Sequence, residues 1–102
     1  MTTTDENINL VATFRAKAEA IDTVRDMIVA YGHVVRSEPG NIFFEIYTDV
    51  TDDAAFVIIE RYENRQAFEA HLAGPEGAPF NAALGELIEG DGSELQFLNR
   101  HV

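Results

Sequence analysis

The sequence predicts an α+β sandwich of the split β-α-β kind, one antiparallel sheet of four strands with helices on one face. Three observations lead there. Runs rich in β-branched and aromatic residues alternate with stripes of helical period. These runs follow the order strand, helix, strand, strand, helix, helix, strand. The 102 residues are enough for one core and one domain, 1–102, and no more.

Asn7 to Ala16 (NINLVATFRA) reads as the first strand. From Glu19 to Val35, Ile21, Val24, Ile28, Tyr31 and Val35 recur every three or four positions, so one helix face is apolar while Asp22, Arg25 and Asp26 look to water. Ser37-Glu38-Pro39-Gly40 ends this helix: proline presets the first turn position, and glycine is expected to take the positive φ that follows. Asn41 to Thr48 (NIFFEIYT) and Ala55 to Tyr62 (AFVIIERY) read as a hairpin around a turn at 49–53. Asn64 is placed to cap a helix starting at Arg65, with Phe68, His71 and Leu72 on one face and Gly74-Pro75 as its stop. Gly77 and Pro79 read as an irregular link before a second short helix bearing Phe80, Ala83, Leu84, Leu87 and Ile88. Gly90 and Gly92 turn the chain into a last strand, Ser93 to Arg100, with Leu95 and Phe97 on one face and Gln96 and Leu98 on the other. This order is that of a ferredoxin-like fold.

Composition narrows the function. There is no cysteine, so disulfide and thiol chemistry are excluded. Eighteen acidic residues against seven basic ones give a formal charge of −11, which repels phosphate backbones and anionic lipid, so neither nucleic acid nor a membrane is an expected partner. Residues 1–7 are polar and acidic, read as flexible, and lack the basic-then-apolar order of a signal peptide; a cytoplasmic protein is expected. Ile42-Phe43-Phe44 and Phe56-Val57-Ile58-Ile59 are apolar toward both faces, where a one-sided sheet should alternate. A second copy packed sheet to sheet, a symmetric homodimer, is the expected cover.

Ser37-Glu38-Pro39-Gly40-Asn41, the strand ending Ile58-Ile59-Glu60-Arg61-Tyr62, and Gln66-Ala67-Phe68-Glu69-Ala70-His71-Leu72 resemble the antibiotic biosynthesis monooxygenase family, over Asn9 to Asn99. The resemblance implies a dimeric α+β barrel. Its members include cofactor-free monooxygenases of quinols and polyketide aromatics, haem-degrading enzymes and an isomerase of a phosphorylated sugar, so function is argued from the site. The haem-degrading members place an asparagine, a tryptophan and a haem-ligating histidine where this chain has Val11, His71 and Leu84, and it contains no tryptophan. A shift of register would bring in Asn9.

His71, beside Phe68 and Leu72, is the first candidate for a general base, imidazole being the side chain suited to proton transfer near neutral pH; the competing reading is a histidine that satisfies a backbone carbonyl. Asn9 shares a strand face with Val11 and Thr13, so its amide could enter an apolar pocket and hold a substrate oxygen, with Thr13 beside it; a strand end in water is the alternative. Glu60 follows four apolar residues and must be hydrogen-bonded or ion-paired, which suits either substrate binding or a structural pair. Phe80 and Tyr47 are the aromatic candidates for the pocket wall, most other rings belonging to core or interface. Many relatives carry a second histidine after the proline that follows the helix; here Gly74-Pro75-Glu76-Gly77-Ala78-Pro79 stands instead, a shaped loop able to act as a lid.

His33 and His101 have no metal-ligand partner at helical spacing, so no metal is expected. No phosphate loop, GxSxG elbow or CxxC occurs. The leading expectation is a cofactor-independent, homodimeric monooxygenase in which His71 deprotonates a quinol or polyketide-type aromatic and Asn9 holds the oxygenated intermediate. Two alternatives stay open: a proton-transfer enzyme or isomerase on a small carbonyl compound, and a non-catalytic small-molecule-binding dimer. A phosphorylated substrate would want pocket cations, for which Lys17, Arg36, Arg61 and Arg100 are the candidates.

Overall fold

A computed structural model describes residues 6–101; residues 1–5 of the segment expected to be flexible, and residue 102, lie outside the described residues. The elements are β1 (Ile8–Arg15), α1 (Ile21–Arg36), β2 (Asn41–Asp49), β3 (Asp52–Tyr62), α2 (Arg65–Leu72), α3 (Gly77–Gly85) and β4 (Glu94–Leu98). The strands form one antiparallel sheet in the order β2-β3-β1-β4. That is the predicted ferredoxin-like α+β arrangement, with β3 slotted between the two strands that α1 connects.

Strand parity decides what each residue meets, because successive side chains point to opposite faces. On β1 the even positions Leu10, Ala12 and Phe14 are buried, and on β3 Phe56, Ile58 and Glu60 are buried beside them. Val24, Ile28 and Val35 of α1, Phe68 of α2 and Leu84 of α3 close over this face, and Phe14 stacks on Phe56 with centroids 5.2 Å apart. The odd positions form the other face: Asn9, Val11 and Thr13 of β1 pair with Arg61, Ile59 and Val57 of β3, flanked by Phe43, Glu45 and Tyr47 of β2. Most of these are half-buried, and nothing among the described residues covers them.

Four expectations need correction. Gly40 does not take a positive φ; among described residues only Gly90 and Gly92 do. Glycine is needed at 40 for space, since a Cβ there would stand 2.2 Å from the Ala67 Cβ of α2. Second, the segment around Gly77 and Pro79 is not a link but the first turn of α3, where proline is tolerated because the N–H it lacks would have no helical acceptor. Third, Leu87 and Ile88 leave the helix to dock on the end of β1: the Lys17 N–H donates to the Leu87 carbonyl at 2.9 Å, and Ala16 bridges Ile88. Fourth, the turn expected at 49–53 is only Val50–Thr51, because the Asp49 carboxylate accepts from both the Thr51 N–H and hydroxyl at 2.8 Å. No helix among the described residues is long and apolar enough to cross a membrane.

Candidate active site

Between the sheet and the helices lies a cavity of about 130 Å³. Its walls are mostly apolar, from Leu10, Phe14, Phe44, Ile58 and Phe68, and its polar side chains are Tyr31, Glu60, His71, Asn81 and Ser93. A space of this size encloses about one six-membered ring, an apolar cavity of about 150 Å³ being sufficient for benzene. A larger ring system must extend past Leu72 and Leu95, two exposed residues at the margin. No lysine or arginine lines it. Arg36 is engaged with the Phe44 carbonyl at 2.6 Å, Arg61 is on the opposite sheet face, and Lys17 donates to the Glu86 carbonyl at 3.0 Å.

His71 reaches the cavity from α2, which begins where the Asn64 side chain accepts the Ala67 N–H at 2.9 Å. Its ring lies 5.0 Å from Tyr62 and 6.3 Å from Phe68, and only 11% of its side chain is exposed. Nδ1 is 2.8 Å from Oε1 of Glu38. A carboxylate at that distance favours a proton on Nδ1, leaving Nε2 as the basic nitrogen.

Glu60 is the one buried charged residue among those described, 7% exposed, and its Oε1 accepts the Tyr62 hydroxyl at 2.8 Å. Burial raises its carboxyl above the ordinary range; the Tyr62 hydrogen bond and nearby His71 pull it down, and Glu38 adds to the rise. Tyr31 stacks on Phe80 with centroids 4.1 Å apart and planes 6° from parallel. Burial, helped by Glu38, Glu60 and Glu76, pushes the Tyr31 hydroxyl up to about 12, so it stays a neutral donor across the working range.

The structure therefore brings His71, Glu60 and Phe80 to one cavity and leaves Asn9, Thr13 and Tyr47 outside it. The expectation that the Asn9 amide enters the pocket is corrected by parity: Asn9 and Thr13 point to the other sheet face, where the Asn9 side-chain Oδ1 accepts from Arg61 Nε at 2.6 Å. Tyr47 lies on that face too, half exposed and bonded to Glu45. Glu38, Tyr31 and Asn81 were missed. Glu38 stood within the Ser37-Glu38-Pro39-Gly40 signature, and Tyr31 belonged to the apolar stripe of α1. Among described residues no three histidine or acidic side chains are placed to hold a metal.

A profile of the antibiotic biosynthesis monooxygenase family matches residues 7–83. The chain belongs to that family. Among solved structures it is similar to Rv0793 of Mycobacterium tuberculosis, with 23% identity, 95% of this chain and 97% of the other covered, and a TM-score of 0.87. It is similar to PA3566 of Pseudomonas aeruginosa, with 21% identity, 94% and 95% covered, and a TM-score of 0.85. It is also similar to SnoaB, a cofactor-independent oxygenase of Streptomyces nogalater, with 20% identity, 95% of each chain covered and a TM-score of 0.84. At such identities the likeness is one of fold. Comparison with curated proteins gives no match. Leu84, which the sequence resemblance set against an iron-ligating position, is a buried core residue, 3% exposed.

Proposed function

We propose that the protein is a cofactor-independent monooxygenase that oxidises a quinol or polyketide-type aromatic with dioxygen, and that it works in the cytoplasm as a homodimer packed sheet to sheet. The observation that carries this reading is a histidine held by a carboxylate at 2.8 Å and presented to an apolar, cation-free cavity within a monooxygenase-family fold.

The chemistry follows from that environment. Nε2 of His71 takes the proton of a phenolic hydroxyl, and the ring becomes an electron-rich anion. The anion reduces dioxygen; a C–O bond forms, and the peroxide is protonated by the imidazolium. Its O–O bond and the C–H bond on the same carbon then break to give a ketone and water, so one oxygen stays in the product and the other leaves. Phe80 and Tyr31 provide a stacked aromatic wall, and Glu60, its carboxyl raised above the ordinary range by burial, offers a hydrogen bond to a substrate hydroxyl. Asn81 takes the place that sequence reasoning gave to Asn9, as the cavity's amide.

The test is oxygen uptake by metal-free protein with reduced naphthoquinols, single-ring quinols and anthrones, corrected for autoxidation. Catalysed uptake that His71→Ala loses is expected, by about 100-fold or more if the general base is removed. Uptake equal in wild type and variant overturns the role of His71. No uptake with any substrate overturns the monooxygenase and moves the protein to the isomerase or binding readings.

A further inference from the structure

On the outer side of α2 lies a second depression, a groove of about 450 Å³ bordered by Glu38, Gly40, Glu63, Ala67, His71 and Glu76. His71 is the single residue that lines both this groove and the inner cavity among the described residues. Its ring thus stands as a partition, with Nδ1 on Glu38 at 2.8 Å. Glu38 is the more open of the two, its side chain 25% exposed against 11% for His71.

The loop that carries Glu38 is fixed rather than free. The Asn41 N–H donates to the Glu38 carbonyl at 3.1 Å, and the Glu63 N–H donates to the Gly40 carbonyl at 2.9 Å. Gly40 itself rests directly against Ala67, one helical turn before His71. Both partners of the Glu38–His71 pair are therefore set by the same loop-to-helix contact.

We infer that Glu38 is the proton port of this site: a positioning residue that holds His71 in the Nδ1–H tautomer and conducts protons between the cavity and the outer groove. The inference rests on the reading of His71 as a base, which an oxygenase and an isomerase share. When Nε2 takes a proton, the substrate O–H bond breaks and an Nε2–H bond forms. The Nδ1–H bond then breaks, its proton joins the Glu38 carboxylate, and Glu38 releases it to groove water. When the cavity needs a proton back, the same bonds exchange in reverse order. No electrons move in these steps. A filled cavity would block the ring's inner side from water, so the outer route is the one that stays open during turnover. The other titratable groups around the pair are Tyr31 from α1, Glu60 and Tyr62 from β3, and Glu63 and Glu76 from the flanking loops. Of these only Glu60 and Tyr31 line the cavity with His71, and the Glu60 carboxyl already accepts the Tyr62 hydroxyl.

The experiment compares wild type with Glu38→Gln and Glu38→Ala. Nitrogen-15 NMR of labelled histidine reads the protonated ring nitrogen of neutral His71 in the resting protein, without any substrate. The wild type is expected to show the Nδ1–H pattern and Glu38→Ala to show Nε2–H, the tautomer that free imidazole side chains prefer. In turnover, kcat of both variants is expected to fall by about 100-fold with KM little changed, matching loss of a general-base function. Formate is expected to restore kcat in Glu38→Ala, where the groove has room for a small carboxylate, and not in Glu38→Gln. Retention of Nδ1–H in Glu38→Ala overturns the proposal, and so does lost activity that formate leaves unrestored. The NMR result is independent of oxygen chemistry, so a wild type that consumes no oxygen defeats the monooxygenase while leaving Glu38 to be judged by the tautomer alone.

Discussion

Replacing Gly40 with alanine should cost stability and displace His71 together. The added Cβ would lie 2.2 Å from the Ala67 Cβ and 3.2 Å from its Cα. Carbon atoms are comfortable at about 3.5–4.0 Å, so the loop and α2 must separate by about 1.5 Å. No rotamer can relieve this, because both contacts are with backbone or Cβ atoms. Overpacking of this kind costs about 1–3 kcal/mol, and in a domain of about 100 residues 2 kcal/mol lowers Tm by about 10 °C. The decisive comparison is a double-mutant cycle read by denaturant unfolding. Ala67→Gly alone should cost about 0.5–1 kcal/mol, as glycine does inside a helix. The double variant should be little worse than Ala67→Gly by itself, a coupling of about 1 kcal/mol or more. Additivity within about 0.5 kcal/mol would refute the steric account, and with it the claim that this contact sets the Glu38–His71 distance.

Three further outcomes are expected. The Glu60 carboxyl is raised above its ordinary 4.5, chiefly by burial. The unfolded chain therefore ionises first, and stability falls as pH rises from about 4.5 to the native value. Glu60→Gln should remove that part of the slope while keeping an acceptor for Tyr62, as unfolding midpoints at pH 5 and pH 8 would show. Tyr31 is pushed up to about 12 from 10.0, so ultraviolet titration should place its ionisation there, with stability falling as pH climbs through that interval because the unfolded tyrosine loses its proton first. Val57→Lys, on the uncovered sheet face, should convert the proposed dimer to a monomer in sedimentation equilibrium and leave the monomer folded.

The helix α1 was legible because its apolar period is clean over sixteen residues, and the strands because runs rich in β-branched and aromatic residues end at turn residues. The start of α3 was not, because Gly77 and Pro79 argue locally for a loop, whereas in a helix's first turn neither is penalised heavily. The misplacement of Asn9 and Thr13 was a parity error that β1 itself could have exposed. Leu10, Ala12 and Phe14 form the wholly apolar set, and the opposite set ends in Arg15. Tyr47 fails for the same reason, since Phe44 and Ile46 are the inward residues of β2. The Glu38–His71 pair is a different case. Thirty-three positions separate the two, and only the docking of α2 on the turn after α1 brings them together, so no local pattern could show it.

Among the described residues the inner cavity is lined by apolar and neutral polar side chains with Glu60 and His71, and by no arginine or lysine. On the proposed chemistry, an anion formed there faces no lysine or arginine, and the proton that His71 took is drawn toward Glu38 on the far side of the ring. Poorly stabilised negative charge in a low-dielectric space is held at high energy. Such an anion parts with an electron more readily than it would in water, so the wall composition acts on the reducing power of the substrate itself. The binding site would be making a stronger reductant of its ligand, and dioxygen would need no metal to accept what the ligand is driven to give.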